Sequence, residues 1–211
     1  METHIPSREE AYNLLREYTT SESLLRHALA VEGVMRFCAR KRNEDENKWV
    51  IVGLVHDLDY EKYHDQHCVK TREILEEKGW PQEYIIAVIS HGWGRCSDVE
   101  PTTPLAKTLY AIDELCGFVT ACALVRPSKS VSDLEPKSVL KKWKAANFAA
   151  GVNRGVIEKG ADMLGVGLES LIADTITGMR QVAGAIGLGQ GEKPSGLFEH
   201  RPDALPILYN K

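Results

Sequence analysis

The pair His56-Asp57 closes the run Trp49-Val-Ile-Val-Gly-Leu-Val-His-Asp-Leu58. A segment this apolar belongs inside the protein. A carboxylate there costs free energy unless it is neutralised, paired or placed on a cation. An imidazole nitrogen beside a carboxylate oxygen suits a divalent ion such as manganese, iron, cobalt, nickel or zinc. The dipeptide by itself is weak evidence, and its place at the end of a buried helix gives it weight.

Two further residues raise the same question. His27 lies on a helical face with Leu24, Leu25, Ala28 and Val31. Taken alone, a histidine there is more often a satisfied core group than a ligand. Asp113 sits within Leu109-Tyr-Ala-Ile-Asp-Glu-Leu115, a carboxylate amid apolar neighbours that calls for a partner. Brought together from three helices, His27, His56, Asp57 and Asp113 would form a two-histidine, two-carboxylate metal centre. Such a set leaves coordination positions for water and substrate, as hydrolytic metal sites require.

The elements that must position these residues read as helices. Ser7 to Tyr18 is amphipathic. Ser21 or Ser23 can cap a helix running to about Arg42, and Asn43 to Asn47 is a charged turn. Trp49 to Leu58 is apolar nearly all round. Gln66 to Lys78 stops at Gly79, and Pro81 opens a helix towards His91. A turn-rich loop spans His91 to Pro104. It is followed by a long apolar helix from about Leu105 to Val125. Helices are then expected at about Glu135 to Ala149, Asn153 to Leu164 and Leu168 to Ile186. No long period-2 pattern or internal repeat occurs. The fold class is therefore all-α, one domain of about eight helices over 1–188 with the metal-site core at about 20–125. A Gly- and Pro-containing tail over 189–211 completes the chain.

Composition bounds the function classes. The chain has 211 residues, enough for one sizeable core. Its 26 basic and 30 acidic residues give a net charge of −4, which argues against a nucleic-acid polymer as partner. The longest apolar stretch, Leu115 to Val125, is too short to cross a bilayer, so no membrane partner is expected. The polar N-terminus does not read as a signal peptide. Five cysteines form no Cys-x-x-Cys pair, and a reducing cytoplasm is the simplest home. Gly187-Leu-Gly-Gln-Gly191 lacks the strand and helix that a dinucleotide loop needs.

The order His27, then His56-Asp57, then Asp113 resembles the motif of the HD superfamily of metal-dependent phosphohydrolases. The likeness extends to His56-Asp-Leu-Asp-Tyr-Glu-Lys62, His67, Ile89-Ser-His91, Tyr110-Ala-Ile-Asp-Glu-Leu-Cys-Gly117, Val125-Arg-Pro-Ser-Lys129 and Phe148-Ala-Ala-Gly-Val-Asn-Arg154. These look like the HDIG-type predicted hydrolases. The resemblance implies an HD-type helical bundle in which His27, His56, Asp57 and Asp113 are metal ligands. It also implies that His67 and His91 match the extra ligands of two-metal members, with Asp57 bridging. Asp57, His67 and His91 are then the catalytic candidates. Two departures stand out: Gly92 where two-metal relatives often carry a second histidine, and Tyr60 where a lysine can follow the His-Asp pair. One ion (Mn, Mg, Fe, Co, Ni or Zn) is the expectation, with two as the alternative.

Residues around the motif have weaker claims. His64 could line the pocket or sit in an exposed loop. Asp59 and Glu61 could orient water or hold a ligand imidazole, or could simply form a solvated acidic terminus. Trp93 follows His91 closely enough to touch a substrate ring. Arg126, Lys129, Lys141 and Arg154 belong to a basic segment that also holds Lys137, Lys142 and Lys144. They are candidates for binding a phosphorylated substrate through charge-assisted donors. A solvated helix surface is the competing reading. The function expected from all of this is metal-dependent hydrolysis of a phosphomonoester or phosphodiester of a small, nucleotide-like molecule. A di-iron oxygenase on the same ligands and a nucleotide-sensing module without turnover are the alternatives.

Overall fold

A computed structural model describes residues 4–190. Among them the chain forms nine α-helices and no strand. The helices are α1 (Arg8–Tyr18), α2 (Glu22–Arg42), α3 (Glu46–Leu54), α4 (Val69–Glu77), α5 (Gln82–Ile89), α6 (Pro104–Leu124), α7 (Pro136–Trp143), α8 (Arg154–Leu164) and α9 (Leu168–Gln181). None is long and apolar enough to cross a membrane. The expected tail lies, from residue 191 onward, outside the described residues.

Local chemistry sets the boundaries. Ser7 and Glu10 make a reciprocal capping box at the start of α1. The Asp45 carboxylate accepts the Asn47 and Lys48 amides, so α3 begins at Glu46 and the expected charged turn is shorter than the sequence suggested. Thr103 and Pro104 open α6, and Asn153 caps α8. A left-handed Asn43 ends α2 and a left-handed Gly165 ends α8.

Helix α6 is the axis of the fold. Nearly every one of its side chains is buried, and it packs against α2, α5, α7, α8 and α9. Helix α2 lies between α3, α6 and α9. The close approach of α2 and α9 depends on glycine. A Cβ on Gly178 would come within 2.5 Å of Val34 Cα and 3.1 Å of the Gly33 carbonyl oxygen.

Four helices are shorter than the sequence implied, and one of them is α4, which starts at Val69 instead of Gln66. The run Trp49 to Leu58 leaves helical geometry at Leu54, and residues 55–62 form successive tight turns closed by Leu58 N to Val55 O (3.2 Å) and Tyr60 N to Asp57 O (3.0 Å). His56 and Asp57 therefore sit just past a helix, not within one. The basic helix ends at Trp143 instead of reaching Ala149. The Arg154 guanidinium takes the carbonyls of Trp143, Ala145 and Phe148, holding that stretch in turns. The last helix stops at Gln181, and turns carry the chain to Leu188, whose carbonyl accepts from Val131 N and Ser130 Oγ.

Gly178→Ala tests the α2–α9 contact. The methyl group raises intrinsic helix propensity by about 1 kcal/mol, but it meets backbone and not a movable side chain. A net loss of about 1–3 kcal/mol is expected, measured by denaturant unfolding. An unchanged or raised midpoint would show that the helices can separate without cost.

Candidate metal centre

Five separate segments converge on one point. Helix α2 supplies His27 and α6 supplies Asp113. The turns after α3 supply His56, Asp57 and Asp59. The segment between a short 3-10 turn at His64–Gln66 and α4 supplies His67, and a 3-10 turn at Ser90–Gly92 after α5 supplies His91.

One cluster joins His27, His56, Asp57 and Asp113. His27 Nε2 lies 2.9 Å from Asp113 Oδ1 and 3.9 Å from Asp57 Oδ2. His56 Nε2 lies 3.2 Å from Asp113 Oδ1, 3.4 Å from Asp57 Oδ2 and 3.3 Å from His27 Nε2. A second cluster joins Asp57, His67 and His91. Here His67 Nε2 and His91 Nε2 each stand 3.4 Å from Asp57 Oδ1 and 3.1 Å from one another. The two oxygens of Asp57 thus face different ligand sets.

The acceptors around the rings fix where their protons lie. His56 Nδ1 donates to the Gly53 carbonyl (2.8 Å) and His91 Nδ1 to the Val88 carbonyl (2.6 Å). His67 Nδ1 donates to Asp59 Oδ1 (2.7 Å), and Asp59 Oδ2 accepts the Thr71 amide (2.8 Å). A carbonyl or carboxylate can only accept, so in each neutral ring the proton is on Nδ1 and Nε2 carries a lone pair. These lone pairs point at one another and at two carboxylates, in a site where every ligand except His27 is buried. Such an arrangement is stable only around positive charge. The donor set of imidazole nitrogens and carboxylate oxygens fits divalent ions at both clusters. His56 gives the same answer in protonic form. Burial alone would lower its pKa, but the Asp57 and Asp113 charges outweigh burial and hold it up to about 10.

A cavity of about 130 Å³ opens onto the centre, lined by His67, His91 and Asp113 together with Tyr60, His64, Gly92, Arg95 and Cys96. It has room for several waters or a phosphoryl group. Arg95 is held at the wall by its ion pair with the buried Glu114, whose other oxygen accepts the Asn153 amide. His64 lines the mouth, with its ring 4.8 Å from that of Tyr60. Glu61 instead accepts the backbone amides of Thr20 and Ser21 at the start of α2. Trp93 packs away from the cavity, 6.0 Å from Tyr110, with Lys159 Nζ 3.5 Å above its ring.

The basic segment lies elsewhere. Arg126 pairs with Asp133 (2.8 Å), Arg154 is spent on three carbonyls and stacks over Phe118 and Trp143, and Lys129 and Lys141 are exposed. None of these four lines the cavity. Clustering along the chain did not become clustering at the centre, because nearby acceptors and the α6–α8 packing claim the two arginines. Arg95 is the cation that does line it. Sequence reasoning passed over it because Gly92-Trp-Gly-Arg95 reads as an ordinary loop; its four-residue distance from His91 was the one available signal.

Asp59→Asn should leave a folded protein whose Asp57, His67 and His91 cluster binds a divalent ion about 10–100-fold more weakly. The amide no longer enforces the His67 tautomer. Metal titration by calorimetry checks this, and unchanged affinity would remove Asp59 from the site. A second expectation concerns pH. Raised above its unfolded value of 6.5, the His56 pKa makes the metal-stripped protein most stable below about pH 6.5, with stability lost as pH rises through about 10. Metal-loaded protein should lack this slope, which thermal melts at stepped pH would show.

No solved structure matches the chain. The family model of the HD domain matches residues 24–117, the stretch from α2 to α6 that carries every ligand named above. Residues 24–117 thus carry an HD domain, the kind of domain found in a superfamily of metal-dependent hydrolases.

Proposed function

We propose that the protein is an HDIG-type phosphohydrolase that uses two divalent ions to hydrolyse a phosphomonoester or phosphodiester of a small, nucleotide-like substrate. One observation carries the reading: the two carboxylate oxygens of Asp57 each face a separate, histidine-rich ligand cluster. Asp57 would hold an ion in each cluster, and two such ions would supply the charge that in-line displacement at phosphorus needs. When bound, the ions lower the pKa of water and offset charge on the phosphoryl oxygens.

The chain's own residues take the remaining roles. His27, His56 and Asp113 complete the first set with Asp57, and His67 and His91 complete the second. Asp59 and the carbonyls of Gly53 and Val88 hold three imidazoles in the tautomer that presents Nε2. Arg95 offers guanidinium donors at the cavity wall, and its pairing with Glu114 fixes it there before substrate arrives. Tyr60 and His64 line the cavity with aromatic rings, suited to the organic part of the ester. Five free cysteines support a cytoplasmic setting.

The decisive experiment combines metal analysis with a panel of nucleotides, cyclic dinucleotides and phosphate monoesters, run with added manganese. Wild-type protein should release phosphate or open a diester. Asp57→Ala should lose both ions and at least about 10³-fold in turnover while keeping its helical spectrum. Turnover that persists in the folded variant would sink the proposal. Tight binding without product would favour a sensing module, and two irons with oxygen consumption would favour the di-iron oxygenase.

A further inference from the structure

Cys68 and Cys96 take no part in the roles above, yet their sulfurs lie 3.3 Å apart. Gly92 fits against both: a Cβ there would come within 2.3 Å of Cys96 Sγ and 2.7 Å of Cys68 Sγ. The residue that breaks the family's second histidine thus makes space for two sulfurs to meet. Cys68 is buried, with φ at 68°, a conformation unusual for a residue bearing a side chain. It directly follows His67 and caps α4. Cys96 is partly exposed. It lines the metal cavity on one side and, with Val69, Arg72 and Ser97, an outer cleft of about 420 Å³ on the other. The pair is therefore part of the wall between the ligands and a cleft that solvent can enter.

Two sulfurs beside a histidine could themselves hold an ion, and His67, Cys68 and Cys96 are close enough to do so. His67, however, has no nitrogen to spare. Its Nδ1 donates to Asp59 and its Nε2 faces Asp57 and His91. A sulfur site would remove His67 from the second cluster. The two sulfurs are placed instead for reaction with each other.

We propose that Cys68 and Cys96 form a reversible dithiol, oxidised by hydroperoxides, whose disulfide weakens the second ion site. This consequence rests on the two-ion reading above. The Cys96 sulfur attacks the peroxide, the O–O bond breaks, and an alcohol or water leaves with Cys96 as sulfenic acid. The Cys68 sulfur then attacks the Cys96 sulfur, the S–O bond breaks, and water leaves with the thiol proton. Two thiols and one hydroperoxide give one disulfide, one alcohol or water and one further water. Two electrons pass from sulfur to the peroxide. Closure shortens the sulfur separation from 3.3 Å to about 2.05 Å. It also ties the residue after His67 to the loop after His91, so the strain falls on both histidines of the second cluster.

The test uses the full chain loaded with zinc, which does no redox chemistry of its own. Hydrogen peroxide should join Cys68 to Cys96, seen by non-reducing peptide mass mapping. Affinity for the second zinc should fall at least about tenfold, and dithiothreitol should restore it. Cys96→Ser should take up two zinc ions and keep them through peroxide treatment. A two-zinc protein in which peroxide forms no such link, or forms it without loss of zinc affinity, overturns this inference alone. A Cys96→Ser protein that takes up only one zinc makes the sulfur a ligand and overturns it as well. A reduced wild-type protein that never takes a second zinc ends the two-ion reading and this consequence together.

Discussion

The constraint on which the rest of the structure depends is the charge balance around Asp57. Its carboxylate and that of Asp113 lie in the interior with four imidazole nitrogens aimed at them. Three of those nitrogens carry lone pairs when their rings are neutral, so without positive charge the interior would repel itself at distances of 3.1 to 3.4 Å. A cation converts that repulsion into the attraction that ties α2, α6 and the turns after α3 and α5 together. Metal binding and completion of the fold are thus one process in this part of the molecule. The apolar packing elsewhere does not depend on it.

The helices do more than carry ligands to the centre. Gly53 and Val88 both lie in the last turn of a helix, where carbonyls have no partner further along the chain. In both cases the histidine three residues later turns back and donates Nδ1 to that carbonyl. One step satisfies a helix end and fixes which nitrogen faces the metal. It also directs the negative ends of α3 and α5 towards the centre, where they favour a cation. His67 follows only a short 3-10 turn, and a buried carboxylate, Asp59, does the same work and is itself fixed by the Thr71 amide.

What was legible in the sequence follows from this division. The all-α class, α6 and the contrast between Asp113 and its apolar neighbours could be read directly, because helical periodicity and a charge out of place are local signals. His56-Asp57 was readable for the same reason, though its helix ends earlier than the apolar run implied. The run continues in buried turns, and burial without periodicity does not distinguish turn from helix. His67 and His91 needed the family motif. Arg95 and the two cysteines were not legible as a group, since they meet only through the loop between α5 and α6. The basic segment misled because a run of charges does not record the direction of each side chain. Asp133, seven residues on, claims Arg126, and Arg154 is folded back onto carbonyls.

Gly92 links these arguments. A second histidine at that position would have placed an imidazole where the two sulfurs now touch. With glycine there, the second cluster keeps three protein ligands, Asp57, His67 and His91. Coordination positions on that side then remain for water and substrate. The loop that follows folds back in tight turns, with the Arg95, Cys96 and Ser97 amides all on the Gly92 carbonyl. That turn aims Arg95 at the cavity wall. The segment from His91 to Arg95 therefore supplies both a histidine that faces the centre and the guanidinium donor at the cavity wall.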